Sequence, residues 1–277
     1  MRYKTTKALL ILLFLIFSQA HSGNTEDLEC DIYLTDDHHE LANTLKTRAE
    51  LYSPELRNSW KTLPAKIQTT KQGEEILLIN GFEVMRGFEK PYMERLAQIA
   101  TQAGGKVLNV GFGLGFIDND IEELANKNNV TDHYIIELNE DVLKAAHEWR
   151  KKQINPERIH ILEGDWKKVL IDLNRRGIVF DGIVYDAFPL EAQDIHRDFI
   201  PFAKELLRLK LLKETTGILT FYVDSLSGLG NKFKKFIRGL GVQSIHEEKV
   251  SVSLPPNQYW EADFFFAPTL SNVKYEK

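Results

Sequence analysis

A chain of 277 residues, 43% of them hydrophobic, can bury the core of one α/β domain and still carry additional N-terminal elements. Its net charge of −5, with Lys and Arg mixed among acids throughout, argues against nucleic acid or an anionic membrane as the main partner. The single cysteine, Cys30, excludes an internal disulfide and gives no basis for a cysteine-built metal site.

Residues 1–22 read as a signal peptide. Arg2, Lys4 and Lys7 form a basic start, Ala8–Phe17 is an unbroken apolar run, and Ser18 and Ala20 supply the small residues of a cleavage site near Ala20. The run is shorter than the ~20 residues a membrane-spanning helix needs. Export is therefore expected, with no membrane attachment after cleavage. Residues 23–72 read as a polar, mostly helical extension or lid. Leu41, Leu45, Ala49 and Leu51 fall near helical spacing, and Pro54 and Pro64 break the pattern beyond them. Asp36–Glu40, DDHHE, resembles a metal cluster, but consecutive helical residues diverge, so a helix N-terminus is the simpler reading and no metal is expected.

Residues 73–277 form the main domain. Glu74–Gly87 predicts a hairpin turning at Asn80-Gly81. A helix over 90–103 comes next, with Pro91 in its first turn and Met93, Leu96, Ile99 and Ala100 on one face; Glu89 stands just before it, where a cap or dipole partner would sit. Strands over Lys106–Val110, His133–Glu137, Ile159–Leu162, Gly182–Tyr185 and Ile218–Val223 alternate with helices that include Glu140–Lys152 and Gln193–Lys210. That alternation implies a mainly parallel sheet. Val242–Leu254 and Tyr259–Ala267 read as a closing hairpin across Pro255-Pro256-Asn257, which would add an antiparallel edge.

The first strand of this series runs into Gly111-Phe112-Gly113-Leu114-Gly115-Phe116, a tight strand-to-helix turn that lets a ligand approach the backbone. A dinucleotide fingerprint wants a small residue three beyond Gly113; Phe116 stands there instead, which argues against NAD and FAD. Glu137, ending the second strand, can accept from two ribose hydroxyls, and Gly164-Asp165-Trp166 after the third could cover an adenine. A nucleoside without a diphosphate satisfies all three, and S-adenosylmethionine (SAM) is the obvious candidate. Asp181–Leu190, DGIVYDAFPL, is a buried strand running into Asp186 and stopped by Pro189. A carboxylate at the carboxyl end of such a strand sits where open α/β sheets bind ligands, though it could equally cap the loop or helix after it.

These blocks carry a family resemblance. VMRGFEKPYMERL, GGKVLNVGFGLGF, HYIIELNEDVL, GDWKKV, FDGIVYDAFPL and GILTF resemble, in unbroken order over roughly residues 75–270, successive blocks of guanidinoacetate N-methyltransferase and of the related type IV (delta-N) arginine methyltransferases of fungi. The resemblance implies a class I SAM-dependent methyltransferase fold (α/β, Rossmann-like), a seven-stranded sheet with one antiparallel strand. It implies Glu89 and Asp186 as the catalytic, guanidine-binding carboxylates, with Asp186 also on SAM. It further implies SAM contacts from Phe112, Gly113, Leu114, Gly115, Phe116, Ile117, Glu137, Trp166, Lys167, Met85 and Met93, and from Trp60 as an N-terminal tryptophan closing over the cofactor. Where the acetate-binding members have Leu-Thr after the fifth strand, this chain has Asp224-Ser225, here taken as substrate-binding; Asp224 would repel an acidic tail. The expected activity is methyl transfer to a guanidino group of a small molecule or of arginine. A spermidine-synthase-like aminopropyltransferase and a non-catalytic binding protein of the same fold are the alternatives, and export would suit an enzyme that meets SAM inside another cell.

Overall fold

The computed structural model describes residues 58–190, 195–255 and 260–275. The signal segment, the DDHHE stretch, Cys30 and the Pro256-Asn257 turn lie outside them. A 3-10 turn at Trp60–Thr62 leads into a three-stranded antiparallel sheet of β1 (Ala65–Thr69), β2 (Glu75–Ile79) and β3 (Phe82–Arg86). Asn80 and Gly81, both at positive φ, make the expected tight turn between β2 and β3. The helical expectation for residues 23–72 fails over β1, and the boundary drawn at 72/73 falls inside this sheet. The reason is local: Ala65–Thr69 pairs residue for residue with β2, Ile67 facing Leu77, an alternation that the surrounding polar residues disguise.

The main sheet has strands β4 (Gly105–Val110), β5 (Val130–Glu137), β6 (Ile159–Glu163), β7 (Gly182–Tyr185), β8 (Ile218–Phe221), β9 (Val242–Ser251) and β10 (Phe264–Val273), in the spatial order β6-β5-β4-β7-β8-β10-β9. All neighbours are parallel except at β10, which runs against both β8 and β9. The expected antiparallel edge is present as the β9–β10 hairpin, with β10 inserted between β8 and β9 and β9 as the outer strand. The last strand also begins later and ends later than the Tyr259–Ala267 read from sequence. Trp260 folds back so that its indole N–H donates to the Phe264 carbonyl at 2.9 Å, and the strand continues through Pro268.

Helices α1 (Lys90–Thr101), α2 (Phe116–Asn128) and α3 (Glu140–Arg150) cover one face, and α4 (Trp166–Arg175), α5 (Ile195–Arg208) and α6 (Asn231–Gly239) the other. Strand residues alternate between the two cores, as the period of two requires: Val107, Ile135 and Val184 face the first, Leu108, Ile136 and Ile183 the second. At the start of β7, a Cβ on Gly182 would stand 1.7 Å from the Ala100 carbonyl oxygen. Without a side chain there, the carboxyl end of α1 rests directly on the amino end of β7. The opposite ends, Glu89 before α1 and Asp186 after β7, are brought to the same edge of the sheet.

Candidate functional site

The strand order reverses between β4 and β7, and a ligand crevice is expected beyond the carboxyl ends of those strands. Gly111 leaves β4 pressed against the residue that leaves β7, since a Cβ on it would lie 2.5 Å from the Asp186 carbonyl oxygen. The Asp186 N–H in turn donates to the Val110 carbonyl at 2.9 Å. Gly115 then caps α2 in the left-handed conformation.

Glu137 anchors this turn. One carboxylate oxygen accepts from the Phe112 N–H at 2.9 Å, the other from the N–H groups of Leu138 and Asn139, both at 2.7 Å. Burial raises Glu137 above the usual carboxylate range, while those three N–H groups pull the other way. Asn139, for which the sequence suggested no role, does three things at once. Its carbonyl oxygen caps α3 through Asp141 and Val142, its backbone N–H is held by Glu137, and its amide donates to the carbonyls of Trp60 and Leu63 at 3.0 and 2.8 Å. An Asn before an acidic first turn was the signal that could have found it.

Trp60 lies flat against Phe188 of the loop after Asp186, ring centroids 4.9 Å apart and planes 6° from parallel. Met85, on β3, directs its sulfur at the Leu114 N–H at 3.3 Å, beside Gly113. Met93 is fully buried in the core under α1, Phe116 and Ile117 pack into that core, and Phe112 meets Trp149 edge-on. Trp166 opens α4 with its ring edge-on to Phe202 and the Lys167 ammonium 5.5 Å from its centroid; Asp165 caps the helix by accepting from the Lys167 N–H. Ser225 bonds Ser227, and the exposed Asp224 lies just beyond the end of β8.

Behind the glycine turn lies a buried polar chain, also without a signal in the sequence. Asn109 donates to Asp118 and to the Gly111 carbonyl; Asp118 and Glu122 hold the two ring nitrogens of His133, each at 3.0 Å; Arg158 closes on Glu122 at 2.8 Å. Burial opposes a charge on His133, but the two carboxylates prevail and raise its pKa.

The acceptor side is different. Glu89 is 2% exposed. It is the cap residue of α1, yet its carboxylate makes no cap bond to that helix and instead accepts from the Arg86 N–H at 2.6 Å. Asp186 has a buried oxygen, Oδ2, with no hydrogen-bond partner among the described residues. Burial, then the charges of Glu89 and Asp118, raise Asp186 well above the usual carboxylate range. A buried carboxylate and a half-buried one with an unmet buried oxygen, between a glycine turn and a stacked aromatic pair, call for a cation.

A family model described as guanidinoacetate N-methyltransferase matches residues 52–251. The chain belongs to that family. Protein arginine N-methyltransferase 2 of Kluyveromyces lactis is 40% identical over 119 residues, covering 40% of this chain and 27% of that protein. Its counterpart in Aspergillus oryzae is 32% identical over 171 residues, covering 61% and 38%. The alignments thus span well under half the length of these relatives. Among solved structures, spermidine synthase from Thermotoga maritima superposes with a TM-score of 0.54 at 17% identity, over 75% of this chain and 69% of that one. A SAM-dependent methyltransferase assigned in Streptococcus mutans gives 0.52 at 13%, over 75% and 55%. At such identities these two likenesses speak to the fold, a class I SAM-dependent methyltransferase domain. SAM is the cofactor of this family and fold, and the residues fit it. Gly111 lets the ends of β4 and β7 pack backbone to backbone, Glu137 ends β5 where it would hold the ribose, and the buried Asp186 Oδ2 could accept from a positively charged group.

Proposed function

We propose that this protein methylates a guanidino nitrogen, drawing the methyl group from SAM. The observation that carries the reading is the pair Glu89 and Asp186 at one edge of the sheet: Glu89 is buried, and the half-buried Asp186 has a buried oxygen that no group among the described residues satisfies. A guanidinium is planar, permanently charged and presents paired N–H donors, so it matches two carboxylates through charge-assisted bonds.

Bound SAM supplies an electrophilic methyl on a positively charged sulfur. Glu89 and Asp186 hold the acceptor's planar fork and orient one nitrogen toward the cofactor side of the crevice, so that much of the acceleration comes from positioning. Transfer would form the new N–C bond while the donor's S–C bond gave up its electron pair to sulfur. The attacking nitrogen becomes acidic, and Asp186 takes its proton. The raised pKa of Asp186 suits that role: its ionised form is stabilised when the guanidinium arrives and its protonated form once the proton has moved. Acceptor binding therefore weakens as pH falls through the Asp186 pKa.

The family membership and the arginine methyltransferase relatives support the same chemistry. The test is incubation with labelled SAM and a panel of guanidino compounds and arginine-containing proteins. Label should pass to at least one of them, and Asp186→Ala should abolish transfer while titration calorimetry still detects SAM binding. Wild-type turnover by Asp186→Ala would refute the assignment. We also propose that residues 1–22 direct export, with cleavage near Ala20; Edman sequencing of protein recovered from the medium checks it.

A further inference from the structure

The glycine turn leaves β4 at Val110 and enters α2 at Phe116, and Gly111, Gly113 and Gly115 all sit at positive φ within it. Glycines lose the most conformational freedom when fixed, so a ligand finds such a turn formed only if something else holds it. The residues on either side do so. Asn109, next to last in β4, and Asp118, in the first turn of α2, are both fully buried. They meet across the base of the turn, the Asn109 amide nitrogen lying 3.1 and 3.0 Å from the two Asp118 oxygens. The same nitrogen donates to the Gly111 carbonyl at 2.9 Å, which occupies the second of its N–H groups.

The Gly111 carbonyl and the Phe112 N–H belong to one planar peptide unit and point to opposite sides of it. That N–H donates to Glu137 at 2.9 Å. The first peptide beyond β4 is therefore clamped from both sides, by the Asn109 amide and by the Glu137 carboxylate, and rotating it breaks both bonds. The arrangement leaves Asn109 Oδ1 buried with no hydrogen-bond partner among the described residues. Turning the amide over would not help, because its oxygen would then face the Asp118 carboxylate and the Gly111 carbonyl, acceptors all. The side chain gives up one acceptor to place two donors. Asp118 is held in turn from behind by His133, whose other ring nitrogen meets Glu122, with Arg158 closing on Glu122.

We propose that Asn109 and Asp118 are positioning residues for the cofactor: they staple the base of the glycine turn and preset the Gly111–Phe112 peptide, so that SAM binds a turn already ordered. Both act through the backbone. The inference concerns the donor side alone and holds whatever the methyl acceptor is.

Titration calorimetry of the full chain with SAM and with S-adenosylhomocysteine tests it without any acceptor, since it reads the binding fraction and the Kd separately. Asn109→Ala should raise both Kd values roughly tenfold, the scale of one lost hydrogen bond. In the ligand-free variant, hydrogen exchange should show the Phe112 amide losing roughly tenfold more protection than those of Ile183 and Val184 in β7. Asp118→Asn keeps the size of the side chain and removes its charge. It should raise the Kd values by about threefold, and it decides the question if Asn109→Ala does not fold. A smaller binding fraction at the wild-type Kd is the result of a merely structural role and overturns the proposal, as does a loss of Phe112 protection no greater than that in β7. Weaker binding by Asn109→Ala with Asp118→Asn at the wild-type Kd overturns the role of Asp118.

Discussion

The two carboxylates that end β5 and β7 show opposite designs. Glu137 is buried and satisfied: three backbone N–H groups converge on it, and it holds the glycine turn in shape with nothing bound. Asp186 is half-buried with a buried oxygen that no described residue satisfies, and the charges that act on it are of its own sign. The first corner is finished before a ligand arrives; the second is completed by one.

Breaking the finished corner should have the largest effect. Glu137→Ala leaves three N–H groups without an acceptor, so it is expected to destabilise the fold by about 3 kcal/mol and weaken SAM binding roughly a hundredfold. Chemical denaturation and calorimetry read the two, and unchanged SAM affinity would mean the corner does not serve the cofactor. His133→Leu removes the cation between Asp118 and Glu122 and should cost on the order of 3 kcal/mol at pH 6. Because the folded pKa of His133 is raised, its contribution is complete below ~6.5 and lost as pH rises through the folded value, so the gap between variant and wild type should narrow toward alkaline pH. A gap that widens instead would show His133 to be neutral when folded. At the unfinished corner the sign reverses. Asp186→Asn should stabilise the ligand-free protein by about 1 kcal/mol at neutral pH, while turnover is lost. The folded pKa of Asp186 is raised, so its own contribution to stability is greatest below ~3.9 and declines as pH rises through the folded value; the Asn variant lacks that decline. A variant less stable than wild type at neutral pH would mean the carboxylate is already compensated.

Much of this was legible in the sequence because it lives in short-range pattern. The Asn80-Gly81 turn, the glycine run after β4, and the buried strand ending at Asp186 each fall within a dozen residues, where periodicity and turn chemistry speak directly. The features that escaped were set by distant partners. The Ala65–Thr69 strand is visible only beside β2, ten residues on. The place of β10 between β8 and β9 depends on pairing across some fifty residues, and Pro268, which reads as a strand end, lies inside β10. Asp118 and His133 looked like ordinary helix and strand residues because a buried ion chain has no local signature. Glu89 was legible both as a helix cap and as a ligand group; its backbone sits at the cap while its side chain turns away from that role.

The Asn139 amide has a consequence for coupling. Through it, the segment carrying Trp60 is buckled to the corner that Glu137 holds, and Trp60 in turn lies on Phe188, two residues past Asp186. The ends of β5 and β7 are thereby tied together through one side chain and one aromatic pair, so a change at either end has a short path to the other.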